Sequence, residues 1–82
     1  MAATPEQLVR HHLAVAEDLA DFAGNLPTLH WVRAAIEALN ANKPAEARVW
    51  VAMASAGADG NLRTDLERAH DALLSMHPRR HP

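Results

Sequence analysis

Four breaks divide the chain into segments of helical spacing, at Thr4-Pro5, Pro27-Thr28, Lys43-Pro44 and Gly60-Asn61. Proline suits the first turn of a helix, where its missing N–H would have no partner, and Thr or Asn suits the position just before it. Each break precedes apolar residues in steps of three and four, so the chain reads as four short helices. Brief connections between successive helices make neighbours antiparallel. The expected fold is all-α, a single domain over residues 1–82, built as an up-down bundle or as stacked helical hairpins.

The first helix is expected over Pro5–Ala23, capped by a Thr4-x-x-Gln7 box and stopped by Gly24. Leu8, His12, Val15, Leu19 and Phe22 form its expected seam, with Arg10, Glu17, Asp18 and Asp21 on the far side. The second runs from near Thr28 to Asn40–Asn42. Leu29, Val32, Ile36 and Leu39 form its core seam, and Trp31, Ala35 and Ala38 a second stripe on which another helix could sit. The third spans Pro44–Ala56. Its centre, Val49 to Ala54, has no polar residue and is expected to be the least solvated part of the chain, with the second and third helices as the central hairpin. The fourth takes Leu62, Leu66, Ala69, Leu73 and Met76, starts at a cap on Asn61 or Thr64, and ends before Pro78.

The distance from Thr28 to Asn61, 33 residues, is close to the period of helical-hairpin repeats. Read as one tetratricopeptide-like unit, Trp31, Ala35, Ala47, Val51 and Ala54 match that repeat in kind. Ala34, Ala38 and Asp59 depart from it, and the first helix does not continue its register. The spacing therefore implies short antiparallel helices and no more.

Composition sets the scale of the core. Hydrophobic residues make up 49% of the chain, but 18 of them are alanine and only three are Trp or Phe. Alanine favours helix and lets helices approach closely. A chain of this length buries roughly 60 to 65% of its unfolded surface, which leaves its stability marginal. Without cysteine there is no disulfide framework, thiolate nucleophile or Cys-type metal site. The start of the chain lacks the pattern of a secretory signal, no stretch has the length of a membrane span, and a cytoplasmic location is expected. A net charge of -2 argues against a general nucleic-acid binder.

The residues able to do chemistry are sparse. Histidine stands at 11, 12, 30, 70, 77 and 81, yet the single i,i+4 pair, His77 and His81, straddles Pro78 and no His-Glu-x-x-His motif occurs. A metal or haem site would have to combine helices, for instance His12 or His30 with a carboxylate. His12 lies in the expected apolar seam, either as a hydrogen-bonded ring at its edge or as a protonation-dependent gate on an interface. Ser55 and Ser75 lie in no nucleophile motif, the turn at 58–61 is too short for an EF-hand, and Glu17, Asp18 and Asp21 read as a solvated face. A helix-turn-helix over Arg48–Leu73 would place Arg63 and Arg68 among Asp65, Glu67 and Asp71, which phosphates repel.

The expectation from sequence is a small non-enzymatic interaction protein, an adaptor or stoichiometric regulator, with no cofactor. It would dock on another protein or on itself as a homodimer. Trp31 and Trp50, with Ala35, Ala38 and His12, are the candidate partner-binding residues, because tryptophan dominates interface hot spots. The alternatives are a metal- or haem-binding helical protein and a helix-turn-helix regulator.

Overall fold

The computed structural model describes residues 3–76. Thr4 opens α1 (Pro5–Ala23) with the expected box: its hydroxyl accepts the Gln7 N–H at 3.2 Å, and the Gln7 side chain accepts the Thr4 N–H at 2.9 Å. Gly24 closes the helix in the left-handed region, with φ 69°. Two backbone bonds tie off the last carbonyls, Asn25 N–H to Ala20 O at 2.9 Å and Gly24 N–H to Asp21 O at 3.1 Å.

Helix α2 (Leu26–Asn40) begins two residues before Thr28. Asn25 is the reason: its side chain accepts the Thr28 N–H at 3.3 Å, so Pro27 falls in the first turn, where no N–H is needed. The far end repeats the α1 stop without a glycine. Asn42 takes φ 62°, and Lys43 N–H reaches Ala38 O at 2.8 Å. Helix α3 (Pro44–Ala56) has the expected bounds, though Lys43 supplies no side-chain cap. Helix α4 (Gly60–Met76) is capped by neither expected residue. Asn61 and Thr64 both lie inside it, and the Thr64 hydroxyl donates back to the Gly60 carbonyl at 3.2 Å. The expected stop at Pro78 and the His77 and His81 pair lie outside the described residues.

The helices close into a ring. Among the described residues α1 packs on α2 and α4, α3 packs on α2 and α4, and the two diagonal pairs do not approach. Cross-links between α1 and α2 give the direction: Arg10 donates to Asn40 at 2.9 Å and Arg33 to Glu17 at 2.9 Å, numbers rising on one helix as they fall on the other. At the opposite end the Gly57 carbonyl accepts from Asn25 at 3.1 Å and from the buried Thr28 hydroxyl at 3.3 Å, tying the end of α3 to the start of α2. The fold is a small all-α antiparallel bundle.

Small residues fill the centre. Half of its 18 buried apolar residues are alanine, and none is aromatic. Two expectations fail for that reason. In α1 the buried seam is Val9, Leu13, Ala16 and Ala20, while Leu8 is exposed and Phe22 is 94% exposed. The larger residues Val15 and Leu19 lie on the flank of this seam, and Phe22 stands on the last turn of α1. In α3 only Ala47, Val51 and Ala54 are buried; Val49 and Met53 are 57% and 47% exposed. It is not the least solvated helix, and in a ring no hairpin is central. The seams of α2 and α4 hold, apart from Ile36 and Met76 at partial burial.

The left-handed residues give a test. Replacing Gly24 by Ala adds a Cβ where L-residues are strained, and is expected to lower unfolding free energy by about 1 kcal/mol in a denaturant titration. Asn42→Gly relieves the same strain and is expected to raise it by roughly 0.5 kcal/mol.

Candidate interaction surface

The stripe on α2 is used within the chain. Ala35 is fully buried and Ala38 nearly so, both in the helix that α3 covers, so these small residues seat α3. Beside them Trp31 and Trp50 stack on each other, with centroids 5.2 Å apart and planes 11° from parallel. Both are partly buried and packed against the core, and His30 meets Trp31 edge-on at 4.9 Å. The pair closes the α2–α3 seam at its rim, leaving part of each ring in solvent.

His12 is neither lost in the core nor free. Its Nδ1 lies 3.0 Å from an Asp65 carboxylate oxygen, with 15% and 18% of the two side chains exposed, so the contact bridges α1 and α4. The carboxylate can only accept, so the ring donates from Nδ1. The His11 ring stands edge-on to it at 5.1 Å. No group of three His, Asp or Glu side chains converges on a metal-sized site among the described residues. His30, the other ligand candidate, is exposed beside Trp31. On α4, Arg63 is already bonded to Glu67 at 3.2 Å, so a helix-turn-helix reading would have to break that pair to reach a phosphate.

The feature that sequence reasoning misplaced is the outer face of α3. Ala45, Val49, Ala52, Met53 and Ala56 are all exposed, and Glu46 is the only polar residue exposed on this helix. Two seams with the same 4-3-4 spacing run along α3, offset by two residues. One, through Ala47, Val51 and Ala54, faces the core and is continued by Ala58 in the following loop; the other, through Ala45, Val49, Ala52 and Ala56, faces out. An offset of two residues turns a helix by about 200°, so the seams lie on opposite sides. The signal was present as an unbroken apolar run, but a run does not say which side is covered. Next to the outer seam an open groove of about 530 Å³ separates Ala52, Ser55 and Ala56 from Arg63, Glu67 and Asp71 of α4. A second group of exposed apolar residues, Phe22 and Leu26, flanks the α1–α2 turn.

Two double-mutant cycles test the local readings. Trp31→Ala with Trp50→Ala is expected to show a coupling of about 1 kcal/mol in unfolding free energy, and additive losses would mean that the stack contributes nothing beyond burial. His12→Ala with Asp65→Ala is expected to couple by about 1 kcal/mol through the α1–α4 bond. Comparison with known proteins finds no matching family model, no matching curated protein and no matching solved structure.

Proposed function

We propose that this chain is a small non-enzymatic interaction module, an adaptor or stoichiometric regulator, which acts in the cytoplasm by docking the outer face of α3 on protein. The observation that carries this reading is the exposed apolar seam of α3, with Val49 and Met53 in solvent and no charged residue between Ala45 and Ala56 on that seam. An apolar helix face of this kind is ordinarily covered, because each exposed methylene left in water forgoes about 0.8 kcal/mol. The tryptophan pair, which sequence alone made the anchor, takes a supporting role. It braces α3 against α2 and so holds the outer seam in one orientation.

No helix among the described residues is long and apolar enough to cross a membrane, so a bilayer-spanning role finds no support in these helices. The test is a photo-reactive amino acid placed at Val49 in the native cell, with the same probe at Glu37 on the exposed side of α2 as control. Protein adducts are expected from position 49 and not from 37. Equal yields from both positions, or none from position 49, would remove the α3 face as the docking surface.

A further inference from the structure

We infer that the groove between α2 and α3 beside Trp50 is a binding site for a small organic cation with a flat guanidinium head. It lies on the flank of α3 that meets α2, and it does not depend on what covers the outer seam. Trp31 covers one face of the Trp50 indole in a nearly parallel stack. An open groove of about 260 Å³ lies alongside, bordered by Trp50 but not by Trp31, so the other face of the indole is the one that meets it. Ala34, Ala38 and Ala41 line its α2 side, and their small side chains leave the space unfilled.

Helix geometry sets two carboxylates on opposite rims. Glu46 precedes Trp50 by four residues and so shares its side of α3. Glu37 stands three residues after Ala34 and four before Ala41, on the side of α2 that carries both, and all of these residues line the groove. Lys43 is the cation already present. Its Nζ is 3.9 Å from Glu46, beyond hydrogen-bond distance, and both side chains are 60% exposed, so the pair is loose. Glu37 makes no ion pair among the described residues, which leaves one carboxylate of the groove uncompensated.

The other nearby charges face elsewhere. Arg33 is bonded to Glu17 and Arg10 to Asn40, both on the α1 side of α2. Arg48 stands two residues from Trp50, about 200° around α3 and so on the opposite flank. His30 meets the edge of Trp31. The C terminus of α2 and the N terminus of α3 come together at the turn, where their opposite dipoles offset.

A cation over an indole is attracted by the negative face of the ring. Guanidinium suits this groove because it is flat and weakly hydrated: it can stack on the free indole face while its N–H groups point outward, in plane, to the two carboxylates. A round ammonium head can do only part of this. The volume holds one such head with a few methylenes, so the ligand is a small guanidino compound and not a polypeptide. The groove is open to solvent, which sets the dissociation constant at roughly 1 mM.

The experiment is a titration of methylguanidinium chloride into the isotope-labelled full chain at constant ionic strength, followed by nuclear magnetic resonance. The two indole N–H signals are told apart with Trp31→Phe protein. The Trp50 indole and the Glu37 and Glu46 amides are expected to shift saturably, and the exposed double variant Glu37→Gln with Glu46→Gln to weaken binding at least about fivefold with helicity unchanged. Methylurea, flat but uncharged, is expected to shift none of them, and tetramethylammonium, charged but not flat, to bind more weakly. Shifts that rise linearly with concentration, that methylurea reproduces, or that the double variant leaves unchanged overturn the site. Tighter binding of tetramethylammonium overturns the guanidinium assignment. A blocked Gly-Arg-Gly peptide carries the same head on a polypeptide backbone; binding about tenfold tighter than methylguanidinium overturns the assignment to a small molecule.

Discussion

Alanine at the centre of the bundle is the constraint on which the other features depend. Ala16 and Ala20 of α1, Ala35 and Ala38 of α2, Ala47 and Ala54 of α3, and Ala69 and Ala72 of α4 are all buried, so each helix brings small side chains inward and the four backbones close into a tight ring. A ring that narrow has no room for indole or phenyl groups at its axis. The large residues are therefore displaced outward. Trp31 and Trp50 go to the rim of one seam, where they stack; Phe22 goes to the end of α1, and Val49 and Met53 to the outer side of α3. Close packing and an apolar exterior are two results of one choice of residue.

This also explains which parts of the fold could be read in advance. Helix ends are local chemistry, and Thr4 with Gln7, Gly24 and Pro44 act within a few residues of themselves, so those boundaries were legible. Asn25 and Asn42 were harder, because asparagine reads equally well as a cap, a left-handed stop or a solvated loop residue. The inward faces of α2 and α4 were legible because leucine marks them. Those of α1 and α3 were not, because alanine makes up half or more of each inward seam and large residues stand beside it. A reading that weights side-chain size takes Leu8 and Phe22 for core and passes over Ala16 and Ala20.

The surface proposed on α3 is not the one that the sequence pattern favours. Sequence placed the partner-facing residues on Trp31, Trp50, Ala35, Ala38 and His12, and the chain itself engages each of these through α3, the facing ring or Asp65. Val49 and Met53, two of the apolar residues left without a cover, are on the helix that was expected to be most enclosed. A helix with a seam on each of two opposite faces cannot be told from an enclosed one by periodicity, since both patterns are apolar all round. Only the ring topology, in which α3 has two neighbours and not three, separates them.

The short capless start of α3 has a dynamic consequence. Lys43 gives its first N–H groups no side-chain acceptor, the helix is only 13 residues long, and it buries three residues where α2 buries six. Its lower cost of local opening makes it the first segment expected to exchange its amide hydrogens, ahead of the rest of the ring. The element that presents the outer seam is thus also the one whose fluctuations a covering protein would damp most.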